Sequence, residues 1–289
     1  YLPWYKTQVK ESTYKNRYST IQKHFAYFYK KKVSEIEAIN VQTWQLKLAK
    51  QFSPNYVRIV QGMLCLAFDR AIILGLAKKN PARMIGNIKS KKVKIDFWTL
   101  EEFQKVISLL YKGDYYEHYL FISFWLLFMT GMRIGEAAAL QWDDIDFEKE
   151  TINIQHNVYD KPKDGKGRWY IGTTKTETGT RKIHLSQTLK IALQNYKKKQ
   201  DYFKKIYGRR YIYYNVEDVK NQSGKVVEHR IVREELSNKD SKKINLIFMR
   251  ENGLYLGTDI TRIPFKIIHN ELGIKKCRFY DLRGYQNIK

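Results

Sequence analysis

The sequence predicts a mixed fold in two parts: an all-α amino-terminal domain, then an α+β domain carrying a small antiparallel sheet. Three observations support this. Through the first ninety residues apolar side chains recur at intervals of three and four, the period of a helix face. Short alternating segments, the mark of half-buried strands, cluster between residues 151 and 185. Between these regions lies Asn87-Ile-Lys-Ser-Lys-Lys-Val-Lys94, a polar basic run that reads as a linker. A chain of 289 residues is also long for one small core. The expected boundaries are a helical domain over 1–88, a basic linker over 89–97 and the α+β domain over 98–289.

The elements follow in order. Ser12-Thr13 opens a helix to about Tyr29, with Tyr14, Tyr18, Ile21, Phe25 and Phe28 on one face. Asn40 is placed to cap a helix over Val41 to Lys50, and Ser53-Pro54 to start another, with proline at the first helical position. That helix carries Val57, Val60, Leu64, Phe68 and Ile72, and ends by Gly75; Asn80-Pro81 cannot continue it. Thr99-Leu-Glu-Glu102 is a capping box ahead of a further helix. Tyr119 to Met129 is apolar throughout yet too short to span a bilayer, so it reads as a buried core helix. Thr151 to Val158, Arg168 to Ile171 and Arg181 to Leu185 read as strands, with a turn at Thr178-Gly179. Ser186 starts a helix to about Lys205. Residues 209–240 read as an irregular insertion with some strand, Asn245 to Met249 as a short strand, and Thr258 to Leu272 as a helix.

Charge narrows the partner. Lys and Arg number 53 against 29 Asp and Glu, a formal net charge of +24. Residues 1–94 hold nineteen of the basic and only four of the acidic residues. Such an excess, interleaved with tyrosines, points to a polyanion, and to nucleic acid rather than a membrane surface, since no basic helix shows a clean apolar face. Two distant cysteines and six scattered histidines offer neither a disulfide framework nor metal-ligand spacing, so no metal and no cofactor is expected. No signal peptide opens the chain, and a reducing cytoplasm fits.

The chemistry concentrates in Thr130-Gly-Met-Arg-Ile-Gly-Glu136 and the residues that follow, to Asp146. Gly131 permits a tight turn after the buried run. Arg133 then falls in the first turn of a new helix, where free N–H groups already favour an anion. Glu136, three residues on, lies on the same face and is placed to hold the guanidinium. A surface arginine paired to its neighbour fits the same spacing.

Three regions in this order carry a resemblance: Thr130-Gly-x-Arg-x-Gly-Glu136 with Leu140-x-Trp-x-Asp-Ile-Asp146, then Thr174-Lys-Thr-Glu-Thr-Gly-Thr-Arg-Lys-Ile-His-Leu185, then Phe279-Tyr-Asp-Leu-Arg283. Together they resemble the tyrosine recombinases of the phage and conjugative-transposon integrase type. The first domain, ending in Asn80-Pro81-Ala82, is similar to that family's core-binding domain, so the likeness covers nearly the whole chain. The resemblance implies a site-specific DNA recombinase that cleaves and rejoins double-stranded DNA through a 3′-phosphotyrosyl intermediate, working as a homo-tetramer on paired sites in the bacterial cytoplasm at the nucleoid.

It also implies roles. Arg133 and Arg283 become two planar, permanently charged forks for the phosphate oxygens. Lys175 becomes the general acid for the leaving 5′-oxygen, with Lys182 the second candidate. Arg181 is expected to contact DNA or the sheet, and Lys91, Lys92 and Lys94 to contact DNA. Asp281 braces Arg283, and Glu136 supports Arg133. Tyr280 stands where the family carries histidine; a phenol can donate to a phosphate oxygen, but with a reference pKa near ~10 it is a poor base at neutral pH. The family's nucleophilic tyrosine follows the second arginine by a few tens of residues, whereas six residues follow Arg283 here and Tyr285 is too near it. No residue of this chain is therefore assigned as nucleophile, and it is expected in the encoded protein beyond Arg283. An accessory amino-terminal domain is a further expectation. Two rival readings keep the scaffold: a non-catalytic DNA-binding protein, and a type IB topoisomerase.

Overall fold

The structure is a computed structural model. It describes the chain except residues 10, 91–95, 111–112, 161–166, 174–179, 221–222, 260–264, 266–267, 269, 271, 276, 278–280 and 283–289. Two compact units emerge, Tyr1–Val93 and Lys94–Lys289.

The first unit is helical: α1 (Leu2–Gln8), α2 (Glu11–Phe25) running into a 3-10 turn at Ala26–Phe28, α3 (Ala38–Gln51), α4 (Pro54–Ile73) and the short α5 (Pro81–Ile85). Ile21, Phe25, Phe28, Trp44, Leu48, Val57, Val60, Leu64 and Phe68 make its core. Trp44, almost wholly enclosed, satisfies its indole by donating to the His24 carbonyl at 2.9 Å. Ser53 caps α4 as expected, accepting from the Tyr56 N–H. Three expectations change. Asn40 is not the cap of α3. Glu37 is, and Asn40 sits three residues inside, its Oδ1 accepting the Glu37 N–H at 3.0 Å. The Asn80-Pro81 pair, expected only as a stop, opens the short α5, since Asn80 accepts from the Arg83 N–H at 3.0 Å, while α4 already ends at Ile73. Tyr18 and Ile72, placed on buried faces by spacing, are exposed.

In the second unit the Thr99 capping box opens α6 (Leu100–Ser108): Thr99 N–H donates to Glu102 at 2.8 Å, and Glu102 N–H donates back to the Thr99 hydroxyl at 3.3 Å. The apolar run forms α7 (Tyr115–Thr130), enclosed on nearly every side, as a helix without a polar face must be. The five-residue α8 (Ile134–Ala138) and the long α9 (Gln187–Tyr207) complete the described helices. Phe265 and Ile268, from the predicted helix over 258–272, are helical and packed in the core with Trp98 and Phe124.

The strands are β1 (Ile145–Asp146), β2 (Thr151–Ile154), β3 (His156–Asp160), β4 (Trp169–Thr173), β5 (Arg181–His184), β6 (Tyr214–Lys220), β7 (Val226–Arg233) and β8 (Lys242–Ile244). They make two antiparallel sheets, β1–β2–β5 and β3–β4–β7–β6–β8, instead of a single small one. The alternating segment 151–158 breaks at Gln155. Its first half pairs Ile152 with Ile183, and its second pairs Val158 with Ile171. Alternation reports which side chains turn inward, not which strand lies alongside, so the switch was hidden.

Residues 209–240 are corrected more strongly, for they hold a hairpin, β6 against β7 from Tyr214↔Arg233 outward, with a shift in register at Val219/Lys220. Its pattern is masked because buried positions are polar. Asn215 donates to Ser237 and Ser241 at 2.8 and 3.0 Å, and Glu217 accepts from Asn238. The segment 245–249 contributes isolated bridges, Leu246 to Gln141 and Met249 to Tyr255, while the strand lies just before it. Among the described residues no helix is long and apolar enough to cross a membrane.

Loss of the α6 cap offers a simple check on this second unit. Thr99→Ala should lower its stability by about 1 kcal/mol, read as a drop in thermal midpoint, while Thr99→Ser should restore most of it.

Candidate active site

The site begins where α7 ends. Thr130 donates its hydroxyl to the Leu126 carbonyl and accepts the Met132 N–H at 3.2 Å. Gly131 takes φ +62°, a left-handed conformation that a side chain would disfavour, and Met132 is completely enclosed. The chain is thereby reversed and pinned, and Arg133 follows with extended backbone (φ −76°, ψ 150°) as the N-cap of α8. The sequence placed it one position later, in the first helical turn. The difference has a cause: the Glu136 carboxylate takes the Arg133 N–H at 2.9 Å, which fixes residue 133 as the cap. With only five residues, α8 supplies little macrodipole, so attraction for an anion here rests on the guanidinium itself.

Glu136 organises the centre. Its side chain is 1% exposed and accepts three donors: Arg133 Nη1 on Oε1 at 2.6 Å, and Arg133 N–H and Arg181 Nη2 on Oε2, both at 2.9 Å. Burial by itself pushes a carboxyl pKa up. Here it is outweighed by the Arg181 hydrogen bond, then by the two from Arg133, so the net direction is down and the group stays ionised. The side chains of Arg133 and Arg181 are each about a third exposed while sharing one buried anion.

Neighbouring backbone holds this helix close to the sheet. A Cβ on Gly135 would come within 2.6 Å of the Val158 carbonyl of β3. Tyr255 ties the other end, its hydroxyl donating to the Ala138 carbonyl at 2.8 Å. On β5, Arg181 shares a face with Ile183, while Lys182 and His184 point the other way and are exposed. Lys182, the second candidate for the acid, therefore faces away from the Arg133–Glu136 pair.

The structure thus brings together Arg133, Glu136 and Arg181. Sequence reasoning named all three but missed that Arg181 shares Glu136 with Arg133. The signal was its place two residues before Ile183 on an alternating strand, which turns it toward the buried side. Asp281 is buried, and Leu282 beside it is fully enclosed in the core. The thiol of Cys277 is pushed up to about 12, mainly by burial and next by the Asp281 carboxylate. Lys175, Tyr280, Arg283 and the linker residues Lys91, Lys92 and Lys94 lie outside the described residues. Tyr115, Tyr119, Tyr196 and Tyr255 are buried, and burial pushes their phenols up, Tyr115 to about 12, so none offers an accessible phenolate. Among the described residues no group of three or more His, Cys, Asp or Glu is placed to hold a metal ion.

A helical unit, a second unit of helices and antiparallel sheets, and a carboxylate-braced arginine after a Thr-Gly turn define an integrase-type scaffold. The chain belongs to the phage integrase family: the family model matches residues 97–285, and the model of the phage integrase N-terminal SAM-like domain matches residues 1–49. It is 29% identical over 204 residues to the ICEBs1 integrase of Bacillus subtilis (strain 168), covering 70% of this chain and 53% of that protein. The chain spans about half the length of that relative and less of others, 37% in the case of the transposase from transposon Tn916 of Enterococcus faecalis. Its fold matches the Tn1549 transposon integrase in complex with transposon right end DNA, with TM-score 0.68 at 18% identity, covering 97% of this chain and 81% of that one. It also matches a lambda integrase tetramer bound to a Holliday junction, with TM-score 0.59 at 16% identity over 96% and 66% of the two chains.

Glu136 ties stability to pH with a definite sign. Its pKa is lowered on folding, so its contribution is complete above the ordinary carboxyl range and is lost as pH falls through the folded value. Glu136→Gln should cost on the order of 3 kcal/mol at pH 7 in denaturant titrations. The gap between variant and wild type should narrow as pH falls below the ordinary carboxyl range and through the lowered folded value, where wild-type Glu136 also becomes neutral.

Proposed function

We propose that the protein carrying this chain is a site-specific DNA recombinase of the integrase type, which integrates or excises a mobile element through a 3′-phosphotyrosyl intermediate. The observation that carries the reading is the Arg133–Glu136–Arg181 arrangement: a guanidinium held by a buried carboxylate, in a family whose members include integrases and transposon transposases. In this reading residues 1–88 form the core-binding domain, 89–97 a basic linker with Lys91, Lys92 and Lys94 toward DNA, and 98–289 the catalytic domain. The protein works in the bacterial cytoplasm, as a homo-tetramer on paired duplex sites. The solved lambda integrase tetramer on a Holliday junction supports that assembly.

The chemistry follows from the charge that develops. When a phenolate attacks the phosphodiester, negative charge grows on two non-bridging oxygens. Arginine suits them because its planar fork bonds two acceptors at once and cannot lose its proton. Arg133 supplies one fork and Arg283 the other; Tyr280 orients a phosphate oxygen, with Asp281 as a brace. Lys175 gives its proton to the leaving 5′-oxygen, so no metal is needed to carry either charge. The excess of nineteen basic over four acidic residues in 1–94 supports duplex binding through phosphates, with affinity falling steeply as salt rises.

A nicked suicide duplex tests the reading in the full-length protein. A covalent protein–DNA adduct should form, and Arg133→Ala should slow it by about a hundredfold or more. An adduct formed at wild-type rate without Arg133 would remove that residue from the site. Lys175→Ala should be slow on the normal phosphodiester and close to wild type when the 5′-leaving oxygen is sulfur, which needs no proton. Equal defects on both substrates would deny it the role of acid.

A further inference from the structure

Arg133 and Glu136 are neighbours in one short turn, but Arg181 comes to the same carboxylate from a strand 45 residues further along. That third donor changes what the pair can do. A pair three residues apart in one short turn constrains its partners only locally, and a five-residue helix has few internal bonds to resist twisting. Arg181 closes the arrangement against the sheet: Oε2 is shared between the Arg133 N–H and Arg181 Nη2, leaving Oε1 aimed at Arg133 Nη1 at 2.6 Å. Gly135 packs so close to the Val158 carbonyl of β3 that a Cβ there would clash, which sets the helix directly against the sheet.

We propose that Arg181 is a positioning residue of the phosphate site, fixing the direction of the Arg133 guanidinium through Glu136. The proposal rests on the recombinase reading for its kinetic consequences, but not for the geometry. Arg181 need not touch DNA. Lysine in its place would keep the charge without the planar fork that reaches an oxygen already bonded to a backbone N–H.

The test separates positioning from DNA contact in the full-length protein. With saturating suicide duplex, Arg181→Gln should lower the single-turnover rate of adduct formation by about 10- to 100-fold, while affinity for uncleaved duplex stays within about twofold. Arg181→Lys should recover part of the rate and fold normally. Glu136→Gln combined with Arg181→Gln should be no slower than the slower single variant, since both act through one path. Weakened duplex affinity with an unchanged saturated rate would make Arg181 a DNA contact and overturn the proposal; additive losses would also overturn it. A second readout needs no activity. In ¹⁵N-arginine-labelled protein the Arg133 Nη signals should be resolved, and should coalesce in Arg181→Gln and Arg181→Lys as rotation is freed. Signals unchanged in both variants overturn the proposal. A wild-type protein that forms no adduct sinks the recombinase reading, and the spectra then decide the role of Arg181 alone.

Discussion

A carboxylate that is 1% exposed is stable only if nearly every lone pair facing the protein is met, and Glu136 meets this demand with three donors from Arg133 and Arg181. Much of the local architecture serves that anion. Gly131 turns the chain so that residue 133 can cap α8, Gly135 lets the helix approach β3 closely, and β5 presents Arg181 on its inward face. The carboxylate compensates in turn for placing two like charges together. Both arginine side chains stay about a third exposed, so the arrangement fixes two guanidinia on one buried counter-ion. Such an arrangement suits a reaction in which negative charge grows at a phosphate without large rearrangement of protein dipoles.

The rigidity of this corner comes from α7 and what grips it. Its enclosed apolar side chains pack against Trp98, Phe103, Leu189 and Leu193, and polar ties fix its ends. Asp114 caps the start by accepting the Glu117 N–H at 2.9 Å. The hydroxyls of Tyr115 and Tyr196 both reach the Met249 carbonyl at 2.9 Å, joining α7, α9 and the 245–249 segment. Thr130 and Gly131 then deliver the chain to Arg133 from a fixed point. An arginine on a mobile loop would spend part of any gain at the phosphate on its own ordering.

Elements whose signals are local were legible in the sequence. The Ser53 and Thr99 caps, the buried α7 and the strand at Arg181 each depend on neighbouring residues, and each stands close to where spacing put it. The misreadings share a different origin. Glu37 displaced Asn40 as the cap of α3 because either residue can accept an early N–H, and one turn of helix in register decides between them. The 214–233 hairpin was obscured because Asn215 and Glu217 are buried with polar partners supplied from 237–241, which a hydrophobic pattern does not record.

The sequence by itself determined most of the helices and the strand at Arg181, the positive charge, the family motifs and the pairing of Arg133 with Glu136, because all are properties of residues at short separation or of composition. Only the tertiary structure decided that residues 151–160 divide between two sheets, that Lys182 faces away from Arg133, and that Arg181 completes the Glu136 site. Those facts depend on which strand lies beside which. That choice is made by packing between segments tens of residues apart, and no local spacing encodes it.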